Sequence, residues 1–549
     1  MTHPCPADVL FRNGTVLTMD AARPRAQAVA VAHGRVLAVG DDAELAALHG
    51  PRTRVVDLAG RTLLPGFHDA HDHMIGFGMQ LQMVAADAAS APDLEALVAA
   101  LAQRAAELPE GTWVKGAGYD DNKLEPARHP DRSDLDRATH VHPVYLRHTS
   151  GHMAVVNSKA LEMLEIDRDT PDPDGGRVVR DPAGEPTGLL LETAMGLATR
   201  AFHPHPLDEL IDALEAADRV YVSEGLTSHT EAGIGYLSDL EALAYRRAVD
   251  TGRLRVRSTL MVKAEALEDL TGAAGEAGFA MTLGMATGWG DDRLRLGAVK
   301  MFSDGSLIGQ TAAMRDGYVA NPENQGLFAT PKATLRDWIL RAHRSGWQIA
   351  VHAIGDLAIE FILDCYEEAL REVPRADHRH RIEHCGLVSV ATLERIVRLG
   401  VVPVPQQRFV GELGDGFLRV LGRERVRSGL YRQRSFVDRG VRVPGSSDRY
   451  VVKGAPLLGI HDAVNQRTDA GEPFVPEEAL TVEQALRAFT IDAAYASFDE
   501  HRKGSITPGK LADLVVLGAD PLEVAPSVLR DVPVVATMIG GAFVFGDPG

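Results

Sequence analysis

Residues 62–74 read TLLPGFHDAHDHM, and the fold turns on how this stretch is read. An apolar run, TLLPGF, leads into HDAHDHM, where His71 and His73 stand two residues apart. In extended backbone, side chains at i and i+2 leave the same face. Two imidazoles side by side at the end of a strand can hold one metal ion. Taken alone, the motif is equally compatible with a pair of polar surface histidines.

Reading outward, short apolar strands alternate with helical stretches, the pattern of βα units around a parallel sheet. Strand candidates are 62–67, 225–230, 255–260, 296–302, 347–353, 379–385, 400–405 and 441–447. Helix-like segments such as ATLRDWILRAHRSG and VATLERIVRLG separate most of them. The set is the number a closed (β/α)₈ TIM-type barrel requires. His352 closes WQIAVHA, His384 closes RHRIEHC, Asp448 follows VRVPGSS and Lys300 sits inside LGAVKMF. Any one of these reads as an ordinary rim or core residue. In a barrel the strand ends converge on one point, where the active site of this fold lies, so together they define a candidate centre.

The first sixty residues and the last forty are short β-rich runs broken by Asn-Gly, His-Gly and Ala-Gly turns. They predict a small β-sandwich built from both termini. The resulting division is a composite domain from 1–61 and 500–549, and a barrel domain over 62–499. The gap after the first strand is far too long for a βα connection and predicts an inserted subdomain at about 74–220. Within it, PDLEALVAALAQRAAELP places Leu94, Leu97, Leu101 and Leu108 at helical spacing.

Composition narrows the partners. A formal net charge of −19 argues against a nucleic-acid partner and against an anionic membrane surface. Cys5, Cys365 and Cys385 are few, odd in number and far apart, so no disulfide framework is implied. The N-terminus lacks the basic-then-apolar pattern of a signal peptide, and no apolar run reaches the roughly 18 residues of a spanning helix. The expectation is a cytoplasmic enzyme with a small-molecule substrate, homodimerisation being the default for such proteins. No GxGxxG follows an early strand, which removes dinucleotide binding.

Imidazole and carboxylate suit zinc foremost, and also iron, manganese or cobalt. Such an ion lowers the pKa of bound water from about 15.7 toward 7, and a neighbouring carboxylate can take the proton. Asp448 is the candidate for that general-base role. Lys300, in an apolar strand, either snorkels out of the barrel mouth or, made neutral by burial, forms a carbamate with CO₂.

PGFHDAHDH, VKMFSDGSL, VHAIGD, RIEHC and GSSD, with GHMAVVNSKAL and the tail GSITPGKLADLVVL, resemble the amidohydrolase superfamily. The likeness is to its YtcJ-like, amidohydrolase-3 branch, which includes N-substituted formamide deformylases. The resemblance implies that His71 and His73 hold one divalent ion and that His352 and His384 hold a second. It further implies a carboxylated Lys300 as bridge and Asp448 as ligand and base, while single-metal members leave the count open. His68 stands where the superfamily usually carries Ile or Val, and the usual GSD is here GSSD, which loosens the register near Asp448. By analogy His152 and Asn157 face the substrate; an ordinary turn role is the alternative. Asp304 is expected to position the loop after Lys300. The implied reaction is hydrolysis of a C–N bond in a linear amide, an N-formyl or N-acyl amine. The same site could serve deamination or cyclic-amide hydrolysis, and a non-catalytic barrel is the reading from another class.

Overall fold

The strand that carries the His71–His73 motif starts only after a break at Gly66. The computed structural model describes residues 6–548 apart from 122, 150, 152, 174–175, 273–276 and 320. The predicted strand 62–67 is two strands belonging to two different sheets. Thr62–Pro65 pairs antiparallel with Leu514–Leu517, and Phe67–Asp72 pairs parallel with Leu226–Ile234. Gly66 is where the chain changes sheets, and it must be glycine because a Cβ there would lie 2.1 Å from Thr227 Cγ2. An apolar run alone cannot reveal such a switch, since both halves are buried.

Among the described residues, seven parallel strands form the central sheet. They are β1 (Phe67–Asp72), β2 (Leu226–Ile234), β3 (Arg257–Lys263), β4 (Leu294–Phe302), β5 (Ile349–Ala353), β6 (Arg381–His384) and β7 (Val402–Val404), paired in chain order. Helices α1 (Lys332–Arg344), α2 (Asp356–Glu372) and α3 (Val390–Leu399) follow β4, β5 and β6. In α3, Ser389 caps the first turn by accepting from Thr392 N, and Gly400 ends the helix at φ 70°. This is a nearly closed α/β barrel.

The predicted eighth strand, 441–447, is irregular. It nonetheless binds both edges of the sheet. On the β1 side Ala70 N donates to Gly445 O and Asp448 N to His71 O, at 2.9 and 2.8 Å. On the β7 side Ser446 Oγ donates to Pro405 O, and Gln407 Oε1 accepts from Ser446 N, both at 2.9 Å. Pro444 has no N–H to give, and serine side chains take the place of a ladder.

Two further sheets come from the chain's outer segments. One orders Arg35–Gly40, Ala28–Ala32, Val9–Arg12 and Arg54–Asp57; the other orders Ala542–Phe545, Val534–Ile539, Leu514–Leu517, Thr62–Pro65, Thr15–Leu17 and Arg25–Ala26. Phe11, Val29 and Val56 from the first share one apolar cluster with Leu63, Leu514 and Met538 from the second. A buried pair joins these segments to the barrel: Arg257 on β3 meets Asp513 through Nε at 2.6 Å and Nη2 at 3.0 Å. At the start of β4, Arg295 reaches Asp499, which also receives Lys503 at 3.2 Å.

The chain folds as two units: Met1–Met74, Ala217–Tyr236 and Ala242–Gly549 form one, and Ile75–Ala216 with Leu237–Glu241 the other. The second has its own sheet, ordered Gly176–Arg180, Pro186–Glu192, Met153–Val156, Val144–His148, Val114–Tyr119 and Val84–Ala85. The predicted helix forms over Leu94–Glu107, with Asp93 accepting from Ala96 N at 2.8 Å and Leu94, Leu97 and Leu101 buried. Among the described residues, no helix is long and apolar enough to cross a membrane.

Three buried histidines hold α1 and the entry to β6 together. His343 Nδ1 and His380 Nε2 are 2.8 Å apart, His380 N donates to His378 Nδ1 at 2.9 Å, and Ile349 N donates to His380 Nδ1 at 3.2 Å. Burial holds all three below the ordinary imidazole value of 6.5, helped by the positive Arg375 at His343 and His378 and by the two neighbouring histidines at His380. A histidine whose folded pKa is depressed contributes stability above its unfolded pKa and loses it as pH falls. The thermal midpoint should therefore drop between about pH 6.5 and pH 5. The drop should be shallower in His380→Asn, whose Oδ1 can still accept from Ile349 N. Equal pH slopes by differential scanning calorimetry would remove the cluster from the account.

Candidate metal centre

Besides their backbone bonds, strand β1 and the segment after Pro444 meet through a buried carboxylate. Asp69 Oδ1 accepts from His71 N and Ser447 N, both at 3.1 Å, and Asp69 Oδ2 accepts from Ser447 Oγ at 2.5 Å. The two backbone stretches that carry His71, His73 and Asp448 are thereby fixed to each other. Asp448 Oδ1 lies 3.5 Å from His71 Nε2 and 3.3 Å from His73 Nε2. The three residues offer one ligand atom each, all within 4.8 Å of one another. The extra serine in GSSD thus leaves Asp448 at the centre.

The other predicted strand-end residues approach the same place. The rings of His71 and His384 are 5.0 Å apart, and those of His384 and His352 4.5 Å. Lys300 is fully buried, and its Nζ, 4.8 Å from the Phe302 ring, has no hydrogen-bond partner. Burial draws its ammonium down to about 8, against the pull of Glu383 and Asp448. His384 and Asp448 sit at φ 66° and 59°, left-handed conformations that a non-glycine residue holds at some cost and that cluster at functional sites.

Hydrogen bonds decide which ring nitrogen faces inward. His71 Nδ1 is 2.5 Å from Glu383 Oε2, His73 Nδ1 is 3.2 Å from Glu231 Oε1, and His384 Nδ1 is 2.6 Å from Gln406 Oε1. An ionised carboxylate only accepts, and Gln406 spends its amide N–H on Val404 O, so each Nδ1 donates. The Nε2 atoms are left for the centre. That of His71 is buried without a hydrogen-bond partner. His352 differs: its Nε2 donates to Gly305 O at 3.1 Å, leaving Nδ1 as its other nitrogen. Burial and then the charge of Lys300 hold His352 down to about 3, and burial with His352 keeps His384 well below 6.5. Both are neutral and able to ligate.

The electrostatics call for a cation. Burial pushes Asp448 up, but the close imidazoles of His71 and His73 outweigh it and hold the carboxyl well below its usual range. Burial disfavours a charged His73, yet Asp448 and Glu231 together raise it well above 6.5. A proton on His73 takes the position a metal would otherwise occupy. An orphaned buried polar atom costs about 1–3 kcal/mol, which an ion on His71 Nε2 would relieve. The donor set of imidazole and carboxylate therefore fits a divalent ion.

One expectation changes and one lies outside the described residues. Asn157 is fully buried and its amide is spent on the fold: Oδ1 accepts from Val144 N and Ala160 N, and Nδ2 donates to Thr139 O and His142 O. It caps the helix Ser158–Met163 and has nothing left for a substrate. His152 is not among the described residues. Asp304 does hold its loop, accepting from Ala313 N, Ile354 N and Gly355 N, with burial raising it to about 6. Sequence reading missed Asp69, Glu231, Glu383 and Gln406. The available signal was RIEH, in which Arg381 and Glu383 share a strand face at i and i+2. The inserted unit has a second cluster, Asp120, Asp121 and His148, in which His148 Nε2 is already bonded to Asp121 at 3.0 Å.

A family model described as the amidohydrolase family matches residues 54–545. The chain belongs to the amidohydrolase family. As an amidohydrolase it is 31% identical to YtcJ of Bacillus subtilis over 98% of this chain and 99% of that protein. It is also 31% identical to the N-substituted formamide deformylase of Arthrobacter pascens, over 97% of each. The crystal structure of an uncharacterized metal-dependent hydrolase from Pyrococcus furiosus matches with a TM-score of 0.75 at 27% identity, covering 94% of this chain and 100% of that one. Family and cluster together support divalent-metal binding by this amidohydrolase.

His71→Ala and His352→Ala should each lower the metal held per chain, measured by plasma mass spectrometry after desalting. Full occupancy in either variant would strike that histidine from the ligand set.

Proposed function

We propose that this amidohydrolase cleaves the C–N bond of a linear amide, an N-formyl or N-acyl amine. The observation that carries the reading is the convergence of His71 Nε2, His73 Nε2 and Asp448 Oδ1 on one point. A divalent ion held there, zinc foremost, supplies Lewis acidity and a water of lowered pKa. In this reading His352, His384 and Lys300 hold a second ion, with Lys300 as a carbamate. The orphaned, fully buried Nζ with its pKa drawn to about 8 supports the uncharged amine that carbamate formation needs.

The remaining work belongs to the chain's own side chains. Asp448 accepts the proton of the attacking water and hands it to the leaving nitrogen, because its Oδ1 faces the inward Nε2 atoms of both imidazoles. Phe302 packs against His352 with ring centroids 5.3 Å apart, Tyr236 meets Phe302 edge-on at 5.8 Å, and Tyr450 lies 6.0 Å from His73. Tyr236 is 43% exposed and Tyr450 36%, so both have surface to cover an apolar amine substituent. The relative that acts on N-substituted formamides supports this substrate class.

The test pairs metal analysis with turnover of N-formyl and N-acyl amines, cyclic amides and aminated heterocycles. Release of amine from the linear amides is expected. Turnover confined to the cyclic or heterocyclic compounds would overturn the linear-amide reading. Asp448→Asn should lower kcat by roughly 10²–10⁴-fold with an unchanged circular-dichroism spectrum; wild-type turnover would place the proton shuttle elsewhere.

A further inference from the structure

We propose that Glu383 and Glu231 are positioning residues for the metal centre, each holding the Nδ1 proton of one histidine of the 71/73 pair so that its Nε2 lone pair faces the ion. The inference rests on the metal reading above.

Neutral imidazole carries one N–H and one lone pair, and a hydrogen bond from one nitrogen fixes which is which. Glu383 Oε2 lies 2.5 Å from His71 Nδ1, and Glu231 Oε1 lies 3.2 Å from His73 Nδ1. Both carboxylates are buried, Glu383 completely, so neither can rotate out to water. Each is fixed from its far side by a different kind of group. Arg381 grips Glu383 through Nε at 2.7 Å and Nη2 at 2.9 Å, and the same Nη2 donates to Ala70 O, one residue before His71. Tyr245 OH donates to Glu231 Oε2 at 2.7 Å. The chain has thus built two unrelated supports for one purpose.

The rest of the centre is backed differently. His384 leans on the neutral Gln406 amide, and His352 on the Gly305 carbonyl. Among the described residues, a carboxylate within hydrogen-bond distance of Nδ1 backs the pair that shares Asp448, while Asp304 stands farther off, 3.7 Å from His352 Nε2. A carboxylate behind an imidazole raises its basicity as a ligand as well as fixing its ring.

A plain structural role predicts something else: Glu383 would merely neutralise Arg381, and Glu231 merely satisfy Tyr245. The distinguishing experiment strips the full chain with chelator and titrates it with Co²⁺, following the visible bands and competing with a dye chelator. Glu383→Gln and Glu231→Gln should each weaken Co²⁺ binding by roughly 10–100-fold and shift the bands. Tyr245→Phe should move both in the same direction by less. Glu231→Gln keeps an oxygen to accept from Tyr245 OH and leaves the Arg381–Glu383 pair intact, so it decides the matter even if Glu383→Gln fails to fold. Wild-type affinity and spectrum in Glu231→Gln would overturn the proposal, whatever its effect on the apo-protein's thermal midpoint. A wild-type chain that takes up no Co²⁺ would defeat the metal reading itself, and the positioning role with it.

Discussion

The Asp69 carboxylate bonds at once to the backbone of His71 and to Ser447, residues on stretches of chain 378 positions apart from Asp69 to Ser447. The site depends on that bond. The segment after Pro444 has no regular ladder to hold it, and a barrel edge without a ladder could slide along its neighbour by a residue. Asp69, together with the backbone bonds of Ala70, His71 and His73 to that segment, removes the freedom. With His71 N and Ser447 N on the same Asp69 oxygen and Asp448 N on His71 O, Asp448 is held beside the two histidines. The same logic extends inward: His229 bridges Asp72 Oδ1 and Ser258 Oγ, each at 2.8 Å, tying β1 to β2 and β3. This Asp–His–Ser chain has the connectivity of a hydrolytic triad. All three members are buried in the barrel wall, which makes it a brace and leaves its serine no substrate to attack.

Much of this could be read from the sequence, because the informative residues obey local rules. His71 and His73 declare themselves by two-residue spacing, His352 by closing an apolar run and His384 by closing a short strand candidate. The amphipathic spacing of Leu94, Leu97 and Leu101 gave a helix where one exists. Failures came where geometry depends on a partner far along the chain. Nothing in TLLPGF says that Pro65 and Phe67 belong to different sheets, since the switch is set by Thr227 pressing on Gly66. Asn157 has the polarity of a substrate contact, and only the carbonyls of Thr139 and His142 show that it is consumed by a helix cap.

The supporting carboxylates were hidden for a sharper reason. Alternation along a strand would send Glu383 and His384 to opposite faces. Both nonetheless come against His71, Glu383 by a hydrogen bond and His384 by its ring. The left-handed turn of the backbone at His384 and Cys385 breaks the alternation at the strand's last residue. Strand ends on this face of a barrel are where regular periodicity stops, and functional side chains gather there because irregular backbone can aim neighbours at one point.

The pairing of Thr62–Pro65 with Leu514–Leu517 has a temporal side as well. The sheet that anchors the start of β1 lacks a strand until nearly the whole chain has left the ribosome. Glu383, the partner of His71, emerges 312 residues after it. A nascent chain therefore carries the exposed HDAHDHM peptide through most of its synthesis with neither its sheet nor its supporting carboxylate in place. Contacts of such separation form late. The full candidate set of His71, His73 and Asp448 can form only after the chain has been made past Asp448, so any ion captured in the final geometry would be captured late.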